Sequence, residues 1–383
     1  MPSSQNADLV LMTDSLDTWF QLPPSLLMKR YHSINQRANA RSLARYGSLN
    51  RRTLAQTIVF GSEKKCWPNP PSSLACYSVP DSPLSHSLFG PRTDEVRDEE
   101  DDENPYQYVR PRWLNSGFIM GPVRDIKRVF VRAVEMAERL ERDGEGKEGE
   151  VEGVVMKGEV GMTDQGVLSR VWGEQEFSRE EKLVEDVAAV KDKANGKADW
   201  GDLGKWRLQM GVNYEFGIGI DYARELSATT QWSWYDAEWI TICDNDTTLD
   251  AADRFEVEMP RVSGLQEDVA ASALPFAALE KRLKVDGMTW QNVSLYTSLW
   301  TGIVPVSIHH NAKKDGQKRV RDKEWRRMWF APYAKQFLDE RVRAVEGKGK
   351  VFGVETMGKK GERGWISWNE LCDQGMQKIL FEL

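Results

Sequence analysis

Short apolar runs alternate with long amphipathic stretches along much of the chain, and this alternation predicts a mixed α/β fold. Residues 8–13 form a short apolar strand. Residues 24–46 form a helix, which begins with a proline in its first turn and ends at Gly47. A second strand follows in residues 56–62. The order strand, helix, strand is typical of parallel pairing in an α/β sheet.

The same pattern predicts further elements downstream. An amphipathic helix near the C-terminus contains Pro332, where a break is expected because proline cannot continue a helix. We find no internal repeat. The predicted strands are 113–121, 216–220 and 303–311, and the predicted helices are 123–142, 163–190, 321–347 and 368–382.

Three polar inserts interrupt these elements. Residues 92–104 are a run of acidic side chains that repel one another, and residues 141–159 and 189–205 are rich in glycine and charge. Segments with so little apolar content cannot bury a core, so we expect loops there.

Composition excludes several classes of protein. The formal charge of -7 argues against a general nucleic-acid binder. No apolar run approaches 18 residues, and residues 1–8 do not form a signal peptide, so the sequence predicts neither a membrane segment nor a targeting signal. Fifteen tryptophans weakly favour a carbohydrate ligand, since indole rings stack on the apolar faces of sugars.

Four cysteines are too few for a disulfide framework, and their spacing does not indicate zinc. Cys66 and Cys76 flank a proline-rich loop, where a disulfide and two free thiols are both open. The sequons at Asn245 and Asn292 permit secretion without requiring it.

Two carboxylates and a histidine follow apolar strands. Asp14 and Asp17 come after the first strand, and His309 ends a later one. Taken singly, the aspartates could be an acidic turn and the histidine a surface residue. Together they form a mixed oxygen and nitrogen set, which suits Mn²⁺ better than Ca²⁺.

Other polar groups also stand at strand ends or helix starts, where ligands bind in open α/β sheets. Asn115 lies inside a strand beside Gly117, which allows a close backbone approach, so the segment looks like a ligand contact. Asp164 begins a helix and could be its N-cap. Trp67 is either a core residue or an exposed platform, and the polar run before it favours the platform.

Six blocks in this order resemble the glycosyltransferase domain of the procollagen lysyl hydroxylase family and the related procollagen galactosyltransferases. The resemblance covers residues 8–315. The blocks are TDSLD, VFGSEKKCWP, WLNSGFIMG, TDQGVLSRVW, GIGIDYARELSATT and PVSIHHNAKK.

The resemblance implies an α/β sandwich of the GT-A type over residues 1–318, mainly parallel and flanked by helices, with a helical extension at 319–383. It also implies Mn²⁺, a UDP-sugar donor, a protein or glycan acceptor, and the lumen of the ER or Golgi. Asp221 is expected to be structural. The implied roles are metal ligation by Asp14, Asp17 and His309, catalysis by Asp164 and Gln165, and substrate contact by Trp67, Asn115, Ser116, Gly117, Asn311, Lys313 and Lys314.

Three features depart from the family pattern. Thr163 stands where the family has a further aspartate, and Gly117 is single where the family has two glycines. The aspartate pair lies at the start of the chain, although the family places nucleotide-binding strands before it, so we expect an N-terminally incomplete domain. These departures leave an alternative, which is a non-catalytic protein that keeps the fold for binding or scaffolding.

Overall fold

The computed structural model describes residues 8–15, 17–47, 54–97, 104–143, 149–151, 154–156, 163–192, 208–257, 261–274, 287–312, 324–358 and 362–373, with residues 375, 377 and 381. Within them the chain is a mixed α/β protein with several small sheets flanked by helices. The strands are β1 (Leu9–Thr13), β2 (Thr18–Phe20), β3 (Ile58–Glu63), β4 (Trp113–Pro122), β5 (Gly149–Val151), β6 (Val154–Met156), β7 (Ile218–Ile220), β8 (Ser227–Thr229), β9 (Ala237–Thr241), β10 (Ser294–Ser298), β11 (Ser307–His309), β12 (Gly353–Met357) and β13 (Arg363–Ser367). The helices are α1 (Pro24–Tyr46), α2 (Leu74–Tyr77), α3 (Val123–Asp143), α4 (Asp164–Asp192), α5 (Asn245–Arg254), α6 (Glu267–Ala270), α7 (Ala334–Glu346) and α8 (Trp368–Leu371), with 3-10 helices at Gly90–Arg92 and Ala331–Tyr333.

The largest sheet has the strand order β1-β4-β3-β7. Strands β1 and β3, which α1 connects, are both antiparallel to β4 and therefore run in the same direction. The strand–helix–strand unit predicted from the sequence is present, but β4 lies between its two strands.

The expectation of a mainly parallel sheet was wrong. Of the eight strand pairings in the described residues, six are antiparallel, and only β3–β7 and β8–β11 are parallel. A strand–helix–strand pattern fixes the direction of the two strands that the helix joins. It leaves open which strand lies between them, and here that strand comes from later in the chain.

Apolar side chains on both faces of this sheet form two cores. Ile58 and Phe60 of β3 pack with apolar residues of α3 and α4 on one face. Val59, between them in sequence, packs with α1 on the other face. Successive side chains of a strand point to opposite faces, so a strand covered on both sides must be apolar throughout. This is why residues 58–60 are a continuous apolar run.

A second, three-stranded sheet has the order β2-β11-β8. Its central strand, β11, is antiparallel to β2 and parallel to β8. His309, the last residue of β11, therefore lies between Thr18 of β2 and Thr229 of β8. The Thr229 hydroxyl donates a hydrogen bond to the Ser62 carbonyl of β3, which ties this sheet to the larger one.

The C-terminal region differs from the predicted helical extension. Helix α7 begins only after the 3-10 helix that contains Pro332, so the expected break is present and the regular helix is shorter than predicted. An antiparallel hairpin of β12 and β13, which the sequence did not indicate, follows it. Trp329, earlier in this region, donates a hydrogen bond to the Gln21 carbonyl and packs in the core that contains α1.

The polar inserts are only partly described. Residues 92–97 form a turn with a salt bridge between Arg92 and Glu95, as expected of a loop, whereas residues 98–103 lie outside the described part. The insert at 141–159 contains the small β5–β6 hairpin, which was not predicted. In the third insert α4 continues to Asp192, and residues 193–205 lie outside the described part.

Cys66 and Cys76 form a disulfide, with their Cα atoms 5.6 Å apart. This decides between the two states that the sequence left open. None of the described helices is long and apolar enough to cross a membrane.

Asp221 stabilises the turn between β7 and β8. Its carboxylate is buried and accepts a hydrogen bond from the Leu226 backbone N–H, at 2.6 Å. Burial, assisted by the negative charge of Glu225, raises the pKa of Asp221 from 3.8 to about 7. The side chain thus has the structural role expected for it.

We predict that Asp221→Asn changes the pH dependence of stability. Between the unfolded pKa of 3.8 and the folded pKa of about 7, the folded protein retains a proton that the unfolded chain releases. Stability therefore falls as pH rises through this window. Asparagine removes this loss, so the variant should gain about 3 kcal/mol relative to wild type between pH 5 and pH 8. Urea unfolding at the two pH values measures this, and an equal difference at both would contradict it.

Candidate functional site

Asp14, Asp17 and His309 converge at one point of the fold. Each offers a ligand atom, and these atoms lie within 4.8 Å of one another. Two backbone hydrogen bonds hold the segment between β1 and β2 there, because Asp14 N–H donates to the Gly117 carbonyl and His310 N–H donates to the Asp17 carbonyl. The predicted convergence of the three side chains is confirmed.

The geometry of these side chains suits a cation better than hydrogen bonding. His309 Nε2 lies 3.2 Å from Asp14 Oδ2 and 3.6 Å from Asp17 Oδ1. Yet this buried nitrogen has no partner with hydrogen-bond geometry among the described residues. The Asp14 side chain is 55% exposed and that of His309 only 2%, so the group is open to solvent on its carboxylate side.

Hydrogen bonds to Asn115 fix the tautomer of His309. The Gly117 backbone N–H donates to Asn115 Oδ1 at 3.0 Å, and because an N–H can only donate, the atom facing it must be the amide oxygen. The same oxygen lies 3.1 Å from His309 Nδ1, which must therefore carry a proton. In a neutral imidazole, the lone pair is then on Nε2, the nitrogen nearest the two carboxylates.

Gly117 provides the space in which the imidazole lies. A Cβ atom at this position would be 2.1 Å from His309 Cε1, much closer than any real contact. The sequence predicted that this small residue makes room for a ligand, whereas in the structure the ring of His309 packs against it. The backbone of Gly117 also contacts Asp14 and Asn115, so it touches three parts of the site.

Amide side chains join four of the sequence blocks. Asn115 Nδ2 donates to Glu63 Oε1 at 2.9 Å and to Gln165 Oε1 at 3.1 Å. Gln165 Nε2 in turn donates to the Trp67 carbonyl at 2.9 Å. Asn311 Nδ2 donates to Glu63 Oε1 at 2.6 Å, and its Oδ1 accepts from the Gln231 backbone N–H. These hydrogen bonds hold the three amide side chains in fixed orientations beside His309.

Glu63 was not singled out from the sequence. It ends the fully buried strand β3, and burial raises its pKa. The available signal was a set of polar residues, Ser62 to Lys65, directly after an apolar run. Such a set is also typical of a strand that simply leaves the core, so the pattern alone does not identify Glu63.

The other predicted residues are distributed around this network. Trp67 is 44% exposed and so is not a core residue, and the peptide bond between it and Pro68 is cis. Asp164 is exposed as the first residue of α4, while the hydroxyl of Thr163 accepts the capping hydrogen bond from Gly166 N–H. Ser116 is half-buried in β4. Lys313 and Lys314 lie outside the described residues.

Neither a scan against models of protein families nor a search of curated proteins found a match to this chain. Among the described residues, Asp14, Asp17 and His309 form a group that could hold a metal ion.

Proposed function

We propose that the protein is an Mn²⁺-dependent glycosyltransferase with a GT-A-like fold, which transfers a hexose from a UDP-sugar to a protein or glycan acceptor. The main support is that Asp14 and Asp17 converge with His309, which lies almost 300 residues later in the sequence. Their proposed roles as ligands of one ion in the resembled family require this convergence. Asn115 and Gln165, from two other blocks, and Asn311, from the block of His309, meet in one hydrogen-bond network beside them.

The three side chains fit the proposed ion. Two carboxylate oxygens and a neutral imidazole nitrogen are ligands that Mn²⁺ accepts. The orphaned Nε2 of His309 is oriented toward the carboxylates by Asn115, as a metal-ligating histidine is held by a partner on its other nitrogen. When bound, the cation neutralises the negative charge that develops on the departing diphosphate.

The remaining residues have roles that follow from their positions. Gln165 holds the backbone of Trp67, and thereby fixes the loop whose exposed indole offers an apolar face to a sugar or an acceptor. Asp164 directly precedes Gln165 and has an exposed carboxylate. This carboxylate would accept a proton or stabilise positive charge at the anomeric centre.

Calorimetry with UDP and with a UDP-hexose tests the proposal. We expect UDP to bind in the presence of Mn²⁺ and to lose at least about tenfold in affinity after EDTA treatment, since Asp14, Asp17 and His309 would hold a cation whose positive charge favours the diphosphate. Mg²⁺ and Ca²⁺ at the same concentration serve as controls for unspecific neutralisation of charge. Equal affinity for UDP with and without Mn²⁺ would overturn the proposal.

We predict that Trp67→Ala reduces transfer without unfolding the protein. A core tryptophan changed to alanine costs about 3 to 5 kcal/mol, whereas an exposed side chain should cost less than about 1 kcal/mol. Trp365→Ala, which removes a 55% exposed indole from β13, is the matched control and should leave transfer unchanged. Release of UDP per folded molecule measures the effect. A large drop in melting temperature with unchanged UDP release would contradict the prediction.

A non-catalytic binding protein is the second candidate, and Thr163 favours it. Where the resembled family has a further aspartate, this hydroxyl caps α4 instead. The two candidates differ in one measurement, because a binding protein holds the UDP-sugar in the presence of Mn²⁺ without releasing UDP, even with acceptor present.

A further inference from the structure

Glu63 connects β4, which carries Asn115, to the segment that carries His309 and Asn311. Its side chain is 4% exposed, and its Oε1 accepts one hydrogen bond from Asn115 of β4 and one from Asn311, two residues after His309. A carboxylate oxygen in this position can only accept, so each amide must turn its nitrogen toward Glu63.

The orientation of these amides determines what they offer on their other side. With Nδ2 directed at Glu63, Asn115 presents Oδ1 to His309 Nδ1. In the same way, Asn311 presents Oδ1 to the Gln231 backbone N–H, which fixes the segment just after β11. One carboxylate thus acts on His309 through its ring and through the chain that follows it.

A purely structural role explains this residue less well. Burial of a carboxyl group is costly, and burial raises the pKa of Glu63. Its Oε2 has no hydrogen-bond partner among the described residues, so the cost is not fully compensated there. An apolar residue of similar size would avoid this cost, as replacements of buried ionic groups show.

We propose that Glu63 is a positioning residue that holds His309 in place at the metal site by clamping Asn115, which contacts the ring, and Asn311, which fixes the chain after it. It acts on the site through these two amides. The inference rests on the metal site of the proposed function, because the position of His309 matters there only if an ion binds.

Two variants, Glu63→Gln and Glu63→Leu, test whether the site depends on the acceptor oxygen of Glu63 or only on its buried volume. Glutamine keeps an acceptor oxygen, so we expect it to hold both amides and to bind Mn²⁺ within about threefold of wild type. Leucine keeps the volume without the acceptor, and should weaken Mn²⁺ binding by roughly 10- to 100-fold. Glu176→Leu, which removes another buried carboxylate from α4, is the control and should leave Mn²⁺ affinity unchanged.

The position of the ring is read from ¹H–¹⁵N spectra of histidine-labelled protein without metal. The chain has four histidines, and a His309→Gln spectrum assigns the signal. We expect the ring signals of His309 to be the same in wild type and Glu63→Gln, and to shift in Glu63→Leu, because both amides then lose their acceptor.

Two results would overturn the inference. One is a Glu63→Gln protein in which the His309 signals shift and Mn²⁺ affinity falls more than about tenfold, which can be seen even if the leucine variant fails to fold. The other is a folded Glu63→Leu protein with the wild-type His309 signals and the wild-type Mn²⁺ affinity. If the His309 signals respond as expected but wild type does not bind Mn²⁺, the proposed function fails while the clamp stands.

Discussion

Asp17→Ala is expected to weaken Mn²⁺ binding by roughly 100-fold or more and to abolish Mn²⁺-dependent binding of a UDP-sugar. Loss of a group that merely orients a ligand already costs 10- to 100-fold, and here a ligand itself is removed. The fold should survive, because the hydrogen bond from His310 uses the backbone carbonyl of Asp17, which alanine retains. Titration with Mn²⁺, followed by electron paramagnetic resonance, gives the affinity.

Asp8→Ala is the matched control for this change. Asp8 is exposed, whereas Asp17 is half-buried, and it lies at the other end of β1, where its backbone carbonyl accepts a hydrogen bond from Val123 N–H. It should bind Mn²⁺ like wild type. If Asp17→Ala folds and retains wild-type affinity for Mn²⁺, the ion is not held by the three side chains assigned to it.

Gly117→Ala should damage the same site without removing any ligand. The new methyl group would overlap the imidazole of His309, whose Cε1 lies 2.1 Å from the position of the added carbon. Neither group has room to yield easily, because His309 is 2% exposed and β4 is paired on both sides. We expect the ring to move away from Asp14 and Asp17, with a loss of Mn²⁺ affinity of roughly 100-fold.

A second glycine in the same strand gives the control. At Gly121 an added Cβ would lie 3.0 Å from Ile58 Cγ1 and from the Thr57 carbonyl, so Gly121→Ala also crowds β4, but away from His309. It should lower the melting temperature and leave the affinity for Mn²⁺ unchanged. Equal loss of affinity in both variants would mean that general strain in β4, rather than displacement of His309, is responsible.

The sequence predicted most of the regular elements because local patterns determine them. Helix α1 has the predicted bounds, since a proline in its first turn and Gly47 at its end mark them. The convergence of Asp14, Asp17 and His309 was also predictable, because each follows an apolar strand and the ends of neighbouring strands lie close together.

Pairing between distant strands was not predictable in this way. Nothing local in residues 113–122 indicates that β4 lies between β1 and β3, and this single insertion makes two of the three pairings in the largest sheet antiparallel. The role of Glu63 depends on hydrogen bonds to residues 52 and 248 positions away. The role of Gly117 also depends on a distant residue. The ring of His309, from the second sheet, occupies the space that a side chain at position 117 would fill.

The central position of β11 has a consequence for biosynthesis. Its neighbours β2 and β8 emerge from the ribosome early and late in translation, and neither has its partner until residues 307–309 have been made. During that interval their edges are open to pairing with other chains. The two aspartates likewise remain without their histidine, so a metal ion that needs all three side chains could not guide the first steps of folding. A nascent chain stalled before residue 307 should therefore depend on chaperones, whereas the finished chain should not.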